Sequence, residues 1–225
     1  MRQEVQIPLP GGSAPAYLAS AAKTGARCVL VLHPWWGLNE FMHSLCDRLA
    51  LEGITALAPD LYHGATARTI PEAKALRNNL DRNLAGKEII AAADHLQQIA
   101  GDHKPQIGLV GFSLGAYLGM GAVEKRPAAF GAVVLFYGGR RVKLNKTKAA
   151  FLAHFAENDP YVSENDRQAL AEQAYQAGLE ATMHIYPGTG HWFFEDDRQE
   201  AYQPAAAQLA WQRTLDFLKT KLVES

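Results

Sequence analysis

Five residues, Gly111-Phe112-Ser113-Leu114-Gly115, set a serine between two glycines in the pattern G-x-S-x-G. An apolar run, QIGLVG, leads into it and a small-residue stretch with helical character, FSLGAYLGMGAVEK, leads out. A serine at such a strand-to-helix turn is pushed above the carboxyl edge of a sheet. Glycines are needed where flanking side chains would collide with neighbouring backbone. The helix N-terminus behind the turn places positive partial charge where an oxyanion would form. The plainer alternative is a glycine turn that packs a strand onto a helix, and the two flanking elements favour the nucleophile.

A serine hydroxyl is a weak nucleophile until a base takes its proton. Of eight histidines, His191 lies in YPGTGHWFF directly after the last apolar strand, where a base for this turn has to originate. His184 falls inside that strand and His33 ends an earlier one. His43, His63, His95, His103 and His154 fall on helices, exposed loops or a strand interior. The imidazole needs a carboxylate to fix its tautomer and stabilise its cation. Asp159, in FAENDPYV after the strand AAFLAHF, is the expected acid. Glu157 is its competitor, and a turn or capping role is the structural alternative for Asp159. The chain order is then nucleophile, acid, base. An oxyanion hole needs two N–H donors. Leu114 follows the nucleophile, and His33-Pro34-Trp35-Trp36-Gly37 supplies the other. Pro34 has no N–H, so Trp35 is expected, with Trp36 behind it.

These residues require a scaffold, and the apolar pattern supplies one. EVQIPLP and APAYLAS, joined through Gly11-Gly12-Ser13, read as an antiparallel hairpin. CVLVLH is a strand buried on both faces. Asn39 caps a helix with Phe41, Leu45, Leu49 and Leu51 as its apolar positions, and ITALAP is the next strand. Pro71 opens a helix running through Leu80, Gly86 breaks the pattern, and a second helix follows over Lys87–Ala100 with Ile89, Ile90, Ala93, Leu96, Gln97 and Ile99. Beyond QIGLVG come the strands FGAVVLFYG, AAFLAHFAE and ATMHIYP. A helix at Glu164–Ala177 precedes the last of them. A final helix over Pro204–Leu222 offers Leu209, Leu215, Phe217 and Leu218 for packing. Strands alternating with helices imply one α/β domain over residues 1–225, a mostly parallel sheet flanked by helices, with no large lid domain.

Composition agrees with this. Of 225 residues, 48% are hydrophobic and 20% charged, and the net charge of −1 gives no global field for nucleic acid or an anionic membrane. The one basic cluster, RRVKLNKTK at Arg140–Lys148, reads as a solvated loop, with anion binding as the alternative. Cys28 and Cys46 read as buried reduced thiols, and no spacing suits a metal. The N-terminus lacks an apolar signal region, and no run approaches the ~18 apolar residues of a membrane span. A soluble, cytoplasmic protein without metal or cofactor is expected; its oligomeric state is left open.

With these residues identified, the chain resembles the dienelactone hydrolase family, a compact branch of the α/β hydrolases. The likeness rests on V-L-V-L-H-P-W-W-G-L-N at Val29–Asn39, A-L-A-P-D-L-Y at Ala56–Tyr62 and G-L-V-G-F-S-L-G-A at Gly108–Ala116. It continues in D-P-Y-V at Asp159–Val162 and G-H-W-F at Gly190–Phe193. The resemblance implies cleavage of an ester or lactone through an acyl-serine, and the lack of a large lid domain favours small or medium substrates. Ser113 would be nucleophile, Asp159 and His191 its partners, and the Leu114 and Trp35 amides the oxyanion hole. An acyltransferase or thioesterase using the same triad, or an idle binding scaffold, are the alternatives.

Three departures from the family bear on substrate. Its best-known members carry Cys at the position of Ser113 and Glu at that of Pro34. The family arginine that grips a substrate carboxylate falls, counted from His191, on Glu195. A second family arginine corresponds to Arg77 or Arg82, with no motif to fix the register. The expected cleft is therefore walled by Trp36, Tyr62, His63, Trp192 and Glu195, with Glu195 disfavouring anionic lactones. The alternative for Glu195 is a solvent-facing acidic turn with Asp196 and Asp197.

Overall fold

The computed structural model describes residues 2–23, 27–101 and 106–222; His103 lies outside them. The elements in chain order are β1 (Arg2–Leu9), β2 (Gly12–Ala19), β3 (Arg27–Leu32), α1 (Glu40–Leu51), β4 (Ile54–Pro59), α2 (Ile70–Asn79) and α3 (Arg82–Ala100). Then follow β5 (Ile107–Phe112), α4 (Leu114–Lys125), β6 (Phe130–Phe136), β7 (Ala150–Asn158), α5 (Glu164–Gln176), β8 (Ala181–Gly190) and α6 (Pro204–Lys221).

One eight-stranded sheet has the order β1-β2-β4-β3-β5-β6-β7-β8. The β1–β2 hairpin joins it antiparallel to β4, and β3 through β8 run parallel. Every residue of β4 and β5 is buried, which is why these strands read as unbroken apolar runs rather than alternating ones. The edge strand β8 buries Tyr186 and Thr189 and leaves Ile185 exposed.

Helix starts follow local capping chemistry. The Asn39 side chain accepts from the Met42 N–H ahead of α1, and Thr69 with Glu72, and Ser163 with Asp166, form reciprocal capping boxes at α2 and α5. The helix expected from Lys87 begins instead at Arg82. Asp81 Oδ1 accepts from the N–H groups of Asn83 and Leu84, and this cap outweighs the cost of about 1 kcal/mol for Gly86 inside the helix. Three expected packing positions are exposed: Leu51, Ile99 and Leu209. The apolar stripes run through Met42 and Cys46 in α1 and through Ala207, Ala210, Trp211 and Thr214 in α6.

Cys28 and Cys46 are buried thiols, and burial pushes both up, Cys28 to about 11. Residues 140–148 form an irregular connection between β6 and β7. Among the described residues no helix is long and apolar enough to cross a membrane, and no His, Cys, Asp and Glu cluster could hold a metal ion.

Candidate active site

The parallel strands place chemistry at one edge. The residue immediately following β3 is His33, that following β5 is Ser113, that following β6 is Tyr137, that following β7 is Asp159, and that following β8 is His191. These strands are consecutive neighbours in the sheet, so the five residues gather along its carboxyl edge.

Ser113 occupies a strained backbone conformation, φ 49° and ψ −107°, of the kind that costs about 1–3 kcal/mol. Its surroundings enforce it. The Ser113 N–H donates to the Phe136 carbonyl at 3.0 Å, and its carbonyl accepts from Tyr117 N–H at 3.0 Å. A Cβ at Gly111 would stand 2.8 Å from the Ala116 nitrogen, and one at Gly115 would drive into the backbone of Leu32 and His33. Both glycines of the pentapeptide therefore let α4 close down on β3 and β5.

His191 Nε2 lies 2.9 Å from Ser113 Oγ, and His191 Nδ1 lies 2.8 Å from each Asp159 carboxylate oxygen. A carboxylate only accepts, so Nδ1 carries the proton and Nε2 is left to receive the serine's. The Asp159 and His191 side chains are 1% and 4% exposed. Asp159 Oδ1 also accepts from the N–H groups of Tyr161, at 2.8 Å, and Val162, at 3.0 Å. The turn role and the contact with the histidine therefore coexist in one carboxylate. Glu157 is exposed and accepts from Gly188 N–H at 2.9 Å.

A cavity of about 300 Å³ opens over Ser113 and His191. Trp35, Tyr117, Tyr137 and Tyr161 wall it, and Arg77 and Arg82 give it positive charge. Leu114 also lines it; as the first residue of α4 its N–H has no partner within the helix. The loop bearing Trp35 is held by His33. This buried imidazole accepts from Leu61 N–H at Nε2 (3.2 Å) and donates from Nδ1 to the Pro34 carbonyl (2.6 Å). Burial pushes its pKa down, which keeps it neutral for this pairing.

Five residues expected in the cleft lie elsewhere. Trp36 is buried behind Trp35 with the Arg198 guanidinium 4.0 Å over its ring, and Trp192 packs against both tryptophans. Tyr62 and His63 line a separate hollow of about 270 Å³ with Glu88, whose Oε1 lies 2.7 Å from His63 Nε2. Helix α2 divides the two spaces, with Arg77 at the cavity and Leu76 and Asn79 at the hollow.

Glu195 is fully buried; it neither borders the cavity nor faces solvent. Successive tight turns, Glu195 N–H to Trp192 carbonyl and Arg198 N–H to Glu195 carbonyl, fold its side chain inward, where Oε1 accepts from the Tyr137 hydroxyl at 2.6 Å. Burial pushes its pKa up to about 8, with the Tyr137 hydrogen bond opposing. The expectation of an anion-repelling Glu195 is thereby overturned, since the charged groups at the cavity are arginines. Tyr117, Tyr137 and Tyr161 escaped the sequence reading. For Tyr137 a signal exists: like Ser113, Asp159 and His191, it is the first residue after a parallel strand.

The sequence pattern of the dienelactone hydrolase family matches residues 14–222. The chain belongs to the dienelactone hydrolase family. A protein of Aquifex aeolicus named "Putative carboxymethylenebutenolidase" is 28% identical over 99% of this chain and 100% of its own. A Bradyrhizobium protein named "Probable 2-oxo-3-(5-oxofuran-2-ylidene)propanoate lactonase" is 31% identical over 97% of this chain and 94% of its own. The crystal structure of a "Putative Dienelactone Hydrolase" from Klebsiella pneumoniae superposes with a TM-score of 0.83 at 25% identity, covering 97% of this chain and 98% of that one. This dienelactone hydrolase-family protein is accordingly an α/β hydrolase of carboxylic esters and lactones.

Proposed function

We propose that the protein hydrolyses a small lactone or ester bearing a carboxylate, through an acyl-enzyme on Ser113. The observation that carries this reading is the Ser113–His191–Asp159 contact chain opening into a cavity whose charged groups are Arg77 and Arg82. In this reading His191 Nε2 takes the hydroxyl proton as Ser113 Oγ bonds to the carbonyl carbon. The N–H groups of Leu114 and Trp35 hold the oxyanion. When the C–O bond breaks, His191 returns the proton to the leaving oxygen. Water then attacks the acyl-serine, its proton passing to His191 and on to Ser113 Oγ. Asp159 holds the Nδ1 tautomer and stabilises the imidazolium.

Arg77 and Arg82 would pair with the substrate carboxylate, a group present in both relatives' printed names, as "carboxymethylene" and "propanoate". The reading assigns every step to the chain's own residues, without metal or cofactor. It has the enzyme act in the cytoplasm on a dissolved small molecule, which suits two buried cysteine thiols.

Turnover of an unsaturated lactone acid and of its neutral methyl ester, with fluorophosphonate labelling, tests this. Ser113→Ala should lose labelling and several orders of magnitude of turnover. A charge-assisted hydrogen bond contributes about 1.5–3 kcal/mol, so the acid should exceed its methyl ester in kcat/KM by about 10–100-fold. Arg77→Gln and Arg82→Gln should narrow that ratio. A methyl ester cleaved faster than the acid would overturn the substrate class, and an active Ser113→Ala the nucleophile.

A further inference from the structure

The Ser113 turn and the loop carrying His191 come from distant parts of the chain, yet both are tied to two consecutive residues. The Phe136 carbonyl accepts the Ser113 N–H, and the Tyr137 hydroxyl donates to Glu195 in the His191 loop. Tyr137 is itself pinned, its N–H donating to the His154 carbonyl at 2.7 Å. Its ring lies 4.8 Å, centroid to centroid, from the His191 imidazole and borders the cavity.

Two costs accompany this arrangement. Tyr137 is a buried, bulky residue held at φ 35°, although the next two positions are glycines. Glu195 is a fully buried carboxyl whose Oε1 takes the Tyr137 bond while Oε2 has no hydrogen-bond partner among the described residues. Strain and desolvation fall together on one pair that touches the imidazole, which is where a fixed base would require them. The other tyrosine on the imidazole, Tyr161 at 4.9 Å, is 44% exposed and cannot serve as a rigid wall.

We propose that Tyr137, anchored by Glu195, is a positioning residue that holds His191 in register with Ser113. Residues 136 and 137 act as a bracket: one arm fixes the nucleophile turn, the other the loop of the base. This rests on the reading of Ser113 and His191 as nucleophile and base.

The test uses Tyr137→Phe, Glu195→Gln and Glu195→Leu in the full-length protein, with a neutral aryl ester and the fluorophosphonate labelling rate. Tyr137→Phe keeps the ring and removes the anchor. A small misplacement of a base is costly, so kcat and labelling rate should each fall about tenfold with KM unchanged. Glu195→Gln still offers an oxygen to the phenol and should stay within about threefold of the unmodified enzyme. Glu195→Leu should match Tyr137→Phe, and the double variant should be no worse than either, because the bond is the unit lost.

Unchanged kcat and labelling in Tyr137→Phe, whether or not its melting temperature drops, would overturn the proposal. So would equal losses in Glu195→Gln and Glu195→Leu, which assign the effect to the carboxyl itself rather than to the acceptor it offers Tyr137. If Glu195→Leu does not fold, Tyr137→Phe against Glu195→Gln decides alone. Turnover surviving in Ser113→Ala would instead remove the underlying triad reading, an outcome separate from those above.

Discussion

Glu195→Gln makes a quantitative forecast about stability. In the unfolded chain this carboxyl titrates near its ordinary value of 4.5; in the folded protein burial raises it to about 8. Below pH 4.5 both states hold the proton and the group is neutral to stability. As pH rises from 4.5 toward 8 the unfolded chain releases the proton while the folded protein retains it, so stability falls. Above about 8 the loss is complete, and the interval from 4.5 to about 8 corresponds to about 5 kcal/mol. The action of Tyr137, Asp197, Arg198 and Glu200 on the Glu195 charge is part of that shift and is lost with the carboxyl in the variant. Glutamine keeps the acceptor for Tyr137 and cannot ionise. Urea unfolding followed by tryptophan fluorescence at pH 4 and pH 9 reads the difference. The variant should match the unmodified protein at pH 4 and exceed it at pH 9 by about 2 M in midpoint, for a slope of about 2–3 kcal/mol/M. A midpoint gap that does not change with pH would refute the reasoning, because it would mean that Glu195 carries the same charge in both states.

Asp159→Asn should lower kcat by about 10⁴-fold through the wrong imidazole tautomer, whereas Glu157→Gln, which touches only the Gly188 N–H, should leave it nearly unchanged; steady-state kinetics separates the two. Gly115→Ala should abolish soluble folded protein or cost more than about 3 kcal/mol by denaturant titration, since its Cβ meets the Leu32 and His33 backbone. Cys28 and Cys46 should stay unreactive toward a thiol-disulfide reagent at pH 8 until urea unfolds the chain, because burial raises both thiols out of the thiolate range.

The candidate nucleophile, acid and base of the proposed triad were legible because each sits in a short pattern that ends a strand: GFSLG, ENDPY and GTGHW. The cavity walls were not legible in the same way. Tyr117 lies on α4, Arg77 on α2 and Arg82 at the start of α3, and only the tertiary fold brings them over Ser113. Glu195 misleads for a local reason. Its acidic neighbours Asp196 and Asp197 suggest a hydrated turn, yet the hydrogen-bonded turns at Trp192–Glu195 and Glu195–Arg198 direct this one carboxyl inward. Gly86 misleads for another: the stronger start signal, Asp81, lies upstream of it and overrides a weak breaker. Leu51 and Leu209 share an apolar type with the buried positions, and their place around the helix axis, not their type, decides exposure.

The distances along the chain between the active-site partners have a consequence for biosynthesis. Ser113 and His191 are separated by 78 positions, and Asp159 and His191 by 32. A nascent chain halted before residue 191 already contains the β5–α4 turn but has no imidazole to deprotonate its serine. On the proposed triad hydrolysis waits for β8, the strand at the far edge of the sheet that His191 directly follows. Reactivity toward a fluorophosphonate would then report the docking of β8 beside β7. Under the proposed triad, Ser113 stays dormant through synthesis and is armed only when β8 docks.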